Sequence, residues 1–254
     1  MTTYKENIGT DITVVSSDPS NPVTGEVWYN TTTQKLKGYQ QVLGNAWSTG
    51  GNLNTARFGR ASAGIQTAAL YFGGNDGSNT GKTEQYDGSS WTEVNDLNTA
   101  RYGGGASGTS TSALYFGGIS FPPASIKNET ESWNGTNWTE VNNLNTARYD
   151  IGGTGADNTS ALGFGGDTGS STGLTENWNG TSWFEVNDLN TAKNGTAGAG
   201  TTSAALAIGG TAPTSQTELW NGNIWTETND LNLARPALGG AGTSTAALAF
   251  GGQP

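Results

Sequence analysis

The side chains able to do chemistry in this chain recur at a nearly constant step. A basic residue closes a phrase of the form Asn-Thr-Ala-Arg at Arg57, Arg101, Arg148, Lys193 and Arg235, with steps of 44, 47, 45 and 42 residues. A glutamate follows at Glu84, Glu131, Glu176 and Glu218, and Lys37 is read as its replacement in a closing repeat. A guanidinium and a carboxylate make a planar, two-bond pair. A pair supplied by every repeat serves the fold before it serves a ligand. The basic ring is therefore read as structural, with an anion such as a carboxylate sugar as the alternative occupant. A second acidic series, Glu93, Glu140, Glu185 and Glu227, is locked to the repeat in the same way. Paired carboxylates can hydrolyse glycosides, but residues fixed by a repeat point to scaffold, and no catalytic residue is assigned.

Cys and His are both absent. That removes disulfides, thiol chemistry, Ser-His-Asp arrangements and the ligands on which zinc and redox metals depend. No metal site and no cofactor is expected. The formal charge is −10, which disfavours nucleic acid and anionic membranes as partners, because phosphate binding needs clustered cations. No stretch is long and apolar enough to insert into a bilayer.

The elements that hold these residues follow from the rest of the repeat. Each copy carries a Gly-Gly pair, for example Gly117-Gly118, then an aromatic, a turn and a tryptophan such as Trp138. A period in the forties with this punctuation predicts one propeller blade of four short strands. Strand a is small and Gly-rich (Gly103 to Ala106) and strand b apolar (Ala113 to Phe116). Strand c is Thr83 to Tyr86 and strand d is Trp91 to Val94. Asp87-Gly88 and Asn134-Gly135 predict two-residue hairpin turns between c and d. Small residues in strand a let neighbouring backbones converge on an axis, while the strand-d tryptophan fills the gap between blades.

Gly-Gly, then Tyr or Trp, then Trp, then Arg resembles the kelch repeat, over roughly residues 35 to 252. Kelch families usually have six or seven blades; the five copies here predict an all-β, five-bladed kelch-like β-propeller. Residues 35–48 match strands c and d without a and b, whereas residues 236–252 match a and b without c and d. Together they make blade five, so N-terminal strands would pair with C-terminal ones and remove the open edges. This gives a propeller domain at 25–254, preceded by a short arm at 1–24 with one strand near Ile12 to Val15.

In such a meander the links before strand a and the b–c loops emerge on one face. The b–c loops are the least repetitive part of the chain, and variable loops on a constant scaffold are where recognition concentrates. Asn75, Asp76, Ser120, Phe121, Pro122, Pro123, Asp167, Thr168, Thr211 and Pro213 are the candidate receptor-binding residues there. Asn98 and Asn145, in the phrase itself, are expected to cap its turn.

Gly25 to Tyr39 reads as a hairpin, with Val27 and Tyr29 opposite Leu36 and Tyr39. This phrase is similar to segments of bacteriophage tail and tail-fibre proteins, and with the repeats behind it the chain looks like marine phage proteins with kelch-like repeats. The resemblance implies a non-enzymatic virion structural protein, a tail or fibre component made in the host cytoplasm. Its arm would dock other virion proteins and its propeller would meet a host-surface glycan or protein. An N-terminus without an apolar segment, read as lacking a secretory signal, fits that expectation. A soluble lectin-like or protein-docking propeller is the alternative.

Overall fold

The computed structural model describes residues 4–5, 11–21, 26–38, 47, 49–59, 61–211 and 214–252. Every regular element among them is a strand. Two compact units are present, Met1–Thr49 and Gly50–Pro254.

In the first unit β1 (Tyr4–Lys5), β2 (Asp11–Val15), β3 (Val27–Asn30) and β4 (Lys35–Gly38) form one sheet in that order. The β2–β3 pair is parallel, and β3–β4 is the expected hairpin, with Tyr29 opposite Leu36. Asp18 ties the sheet together. Its Oδ1 accepts from Trp28 Nε1 at 3.0 Å and Asn30 Nδ2 at 2.7 Å, and its Oδ2 from Lys37 Nζ at 2.6 Å. These donors, Lys37 foremost, hold the Asp18 carboxyl at about 2. Residues 39–46 and 48, the remainder of the expected closing strands, lie outside the described residues.

The second unit is a series of antiparallel meanders. The first sheet is β5 (Ser62–Ile65), β6 (Ala68–Phe72), β7 (Thr83–Tyr86) and β8 (Trp91–Val94). The second is β9 (Gly105–Gly108), β10 (Ala113–Ser120), β11 (Ser125–Trp133) and β12 (Trp138–Val141). The third is β13 (Gly152–Asp157), β14 (Ser160–Phe164), β15 (Thr175–Trp178) and β16 (Trp183–Val186). The fourth is β17 (Ala197–Thr201), β18 (Ala204–Ile208), β19 (Thr217–Trp220) and β20 (Trp225–Glu227). The last sheet holds β21 (Leu238–Thr243) and β22 (Ala246–Gly251), and no third strand pairs with β22 among the described residues. Closure of the ring by N-terminal strands is thus not observed.

The innermost strands pack so closely that side chains are excluded. A Cβ on Gly198 would lie 2.2 Å from Gly153 O, and one on Gly240 2.5 Å from Gly198 O. The Gly-Gly pair has a different reason. Gly117 and Gly118 both have positive φ, at 65° and 107°, which an L side chain adopts only under strain. Gly118 N then donates to Arg148 O at 2.9 Å, so the pair is the point where one blade grips the link into the next.

Tryptophans fill the seams between blades. Trp138 on β12 packs on Phe72 of the preceding blade at 4.8 Å, and its Nε1 donates to Thr83 Oγ1 at 3.0 Å. Trp183 repeats this with Phe116 and Thr130, and Trp225 with Phe164 and Thr175. A second, inner tryptophan at the end of strand c, Trp133, Trp178 or Trp220, lies 5.3–5.5 Å from the first. Burying one such ring is worth about 4–6 kcal/mol on area grounds.

Three local expectations are corrected. The c–d turn has four residues, because Trp133 pairs directly with Trp138. Asn134 Oδ1 accepts from the N–H groups of Thr136 and Asn137, so the asparagine acts through its side chain while Gly135 takes φ +92°. The loop after Gly118 is instead a hairpin extension: β10 and β11 pair up to Ser120–Ser125, which leaves only residues 121–124 as the turn. Strand a of this blade also begins at Gly105, two residues later than expected.

Candidate functional site

The basic residues and the strand-c glutamates meet inside each sheet. Arg101 NH1 lies 2.5 Å from Glu131 Oε1, Arg148 NH2 2.9 Å from Glu176 Oε1, and Lys193 Nζ 3.1 Å from Glu218 Oε1. Arg57 and Glu84 form the same pair, and no side chain of these four pairs is more than 2% exposed. Oε2 of Glu131 also accepts from the backbone N of Asn98 at 2.7 Å and from its Nδ2 at 2.9 Å, while Oε1 accepts from Thr99 N at 3.2 Å. Asn98 and Asn145 therefore bridge the incoming link to strands c and d (Asn98 Nδ2 to Trp138 O at 3.2 Å, Asn145 Nδ2 to Trp183 O at 3.2 Å) and do not cap a local turn. Burial raises the Glu84 carboxyl, but donors from Arg57, Asn54 and Thr55 outweigh it and leave the pKa lowered. Burial pushes Arg148 down, against the pull of Glu176. The Arg101 guanidinium also lies over the Tyr115 ring at 4.5 Å.

Arg235 has no glutamate partner in its two-stranded sheet; its NH1 donates to Gly251 O at 2.8 Å. Lys37 is not the missing counterpart. Each paired glutamate stands seven residues before a strand-d tryptophan, and the same count from Trp47 reaches Gln40. Lys37 is instead engaged with Asp18 in the first unit.

The b–c loops are pinned to the links before strand a. Backbone bridges join Phe58 to Asn75, Tyr102 to Ile119 and Tyr149 to Asp167, and Thr211 N donates to Asn194 O at 2.8 Å. Asn75 Oδ1 accepts from Gly77 N, and Asp167 Oδ1 from Gly169 N. Asp167 Oδ2 takes a hydrogen bond of 2.8 Å from Asn194 Nδ2, and Thr168 N donates to Ser170 O. Asp76 lies 4.0 Å from Lys82. Ser120, Phe121, Pro122 and Pro123 form the end of the β10–β11 hairpin. Asn79 Nδ2 of the neighbouring loop donates to Phe121 O at 3.0 Å. Pro213 lies outside the described residues.

Residues not singled out from sequence complete this face. The position after each basic residue is Phe58, Tyr102, Tyr149, Asn194 or Pro236. Phe58 is 64% exposed and Phe121 46%. Their rings flank Tyr102, with centroids 5.7 and 6.4 Å away. The signal is an aromatic beside the basic residue in three copies, Phe58, Tyr102 and Tyr149.

Gly59 and Gly103, the next residues along, line a cavity of about 280 Å³. Its walls come from all five sheets of the unit, through Ser62, Ala106, Gly153, Gly198 and Gly240 among others. Thr196, 5% exposed, also lines it, and its Oγ1 has no hydrogen-bond partner among the described residues.

Successive four-stranded meanders, innermost strands converging on one cavity and tryptophans between sheets define a β-propeller. No family model matches the chain, and no curated protein matches it. Among solved structures it is similar to one titled "Structure of YjhT", with a TM-score of 0.65 at 11% identity over 78% of this chain and 77% of that one. At that identity the likeness is one of fold.

Proposed function

We propose that this chain is a non-enzymatic recognition propeller of five kelch-like blades, carried on a tailed-phage particle as a tail or fibre component and displayed to a host-surface receptor. The observation that carries the reading is the face built by the b–c loops: exposed aromatic rings on a rigid, repeat-locked frame. A catalytic role is disfavoured because the buried glutamate of each complete sheet is already paired with a cation. In Glu131 both oxygens are engaged, which leaves neither to move a proton. Convergence of five sheets on one cavity supports the blade count. The likeness of residues 25–39 to phage tail segments supports the particle assignment, with the first unit as the docking arm.

Two measurements test this. Mass spectrometry of virions purified from a lysate in which the gene is expressed should find the chain with the tail proteins; its absence there rejects the particle assignment in favour of a free lectin-like or protein-docking propeller. Purified chain in excess should slow adsorption of those virions to their host. Unchanged adsorption rejects the receptor role.

A further inference from the structure

We propose that the ligand of this face is an uncharged glycan, stacked on the exposed rings of Phe58 and Phe121 with a terminal sugar ring in the central cavity. This rests on the recognition-face reading above and narrows it to one ligand chemistry.

The placement follows from backbone geometry. In an extended link successive side chains point to opposite sides. The basic residue points into the sheet, toward its glutamate, so the next residue points out. Bridges to Asn75 and Ile119 hold Phe58 and Tyr102 in that position, and Asn79 anchors Phe121. Three rings from three places in the sequence therefore form one cluster, with Phe58 edge-on to Tyr102 at 71° and Tyr102 stacked with Phe121 at 23°. Ile224, 46% exposed, lies instead in a c–d turn. The exposed parts of the Phe58 and Phe121 rings carry the negative quadrupole of an aromatic face and attract the C–H face of a pyranose ring.

Charge decides between sugar classes. Among the described residues, Arg57, Arg101, Arg148 and Lys193, the basic residues of four repeats, have side chains at most 1% exposed and are neutralised by glutamate. The remaining lysines of the b–c region are near carboxylates, Lys82 at 4.0 Å from Asp76 and Lys127 at 3.4 Å from Glu129. Around Tyr149, Asp167 and Asp150 are close enough to push its phenol pKa up, after burial. Among the described residues the b–c loops thus offer rings, carboxylates and amides, which suit sugar hydroxyls. The anion site expected from sequence loses four of its five cations, Arg57, Arg101, Arg148 and Lys193, to the glutamates.

The cavity adds a second observation. Gly59 and Gly103 put its wall directly beside Phe58 and Tyr102, and its volume suits one sugar ring, not a drug-sized ligand. Thr196 Oγ1 lines it with its hydrogen-bonding capacity unused. A sugar hydroxyl entering there satisfies it.

The test is an array of neutral gluco-, galacto- and manno-oligosaccharides beside their uronic, sulfated and sialylated counterparts, followed by calorimetry on the neutral hits. Phe58→Ala and Phe121→Ala, at exposed sites, should each weaken binding by about tenfold, and Thr196→Val should do so only for ligands with a matching terminal ring. Ile224→Ala, in a c–d turn, should change nothing. Affinity should hold within about twofold when salt is raised about tenfold, since no ion pair is involved. Hits confined to charged glycans, or neutral binding indifferent to Phe58→Ala and Phe121→Ala, overturn the inference while leaving the recognition face standing. Absence of any glycan binding in a chain that still slows adsorption does the same and points to a protein receptor. Absence of both overturns this inference and the reading beneath it.

Discussion

Consider replacing Glu131. It is 1% exposed and accepts four hydrogen bonds, two at each oxygen, from Asn98, Thr99 and Arg101. Glu131→Ala leaves the Arg101 guanidinium, itself 0% exposed, without its counter-charge. Breaking a buried pair from one side costs about 3–5 kcal/mol. Glu131→Gln keeps the shape, but either orientation of the amide aims its NH2 at two donors, so about 3 kcal/mol is lost as well. Removing the charge from both sides, as Glu131→Gln with Arg101→Met, should recover part of that. Recovery stays partial because Arg101 also donates to Gly117 O and Thr99 O, each at 2.9 Å. The assay is urea unfolding followed by tryptophan fluorescence and circular dichroism, with coincident transitions as the condition for a free energy. At a slope of about 3 kcal/mol per molar, the Glu131→Gln midpoint should fall by about 1 M. A midpoint within about 0.2 M of the wild type would refute the claim that this glutamate holds the link to the sheet.

Gly117→Ala places a Cβ 2.4 Å from Ile151 Cδ1 and 2.6 Å from Arg148 O at positive φ, and should cost about 3 kcal/mol or more. Gly169→Ala, also at positive φ but with nothing within 4 Å, should cost about 1 kcal/mol in the same unfolding assay. Trp183→Phe removes the donor to Thr130 Oγ1 across a blade seam and should destabilise by about 1–3 kcal/mol, read as a lower melting temperature. For Asp18 the folded value of about 2 lies below the ordinary 3.8, so its contribution is present above about pH 4 and is lost as pH falls through 2. Carboxyl NMR should report that value, and Lys37→Met should move it upward.

Strands c and d could be read residue by residue, because Thr83 to Tyr86 and Trp91 to Val94 begin and end in the structure where the repeat places them. Their signal is local, an alternating pattern bounded by turn residues. The turn between them was misjudged because Asn-Gly specifies two residues only when no side chain competes. Here Asn134 Oδ1 captures two N–H groups and lengthens the loop. The partner of Arg101 could be named from spacing, but the work of Asn98 could not, since its bonds to Glu131 and Trp138 span 33 and 40 residues. The aromatic cluster was illegible for a related reason. Phe58, Tyr102 and Phe121 come together only through pairing between separate blades, and nothing in the spacing of the two phenylalanines announces it. Assigning Lys37 to the glutamate position failed on register: the count back from Trp47 reaches Gln40, three residues further along.

The indole of Trp138 and the hydroxyl of Thr83 have a bearing on how such a chain changes over generations. Each module carries a plug on its outer strand and, on the strand before it, the socket for the next module's plug. Unequal recombination between two copies of the NTAR phrase therefore deletes or duplicates a sector and leaves every junction matched. The gene can alter its number of sectors and reshuffle its rim loops without designing a new interface.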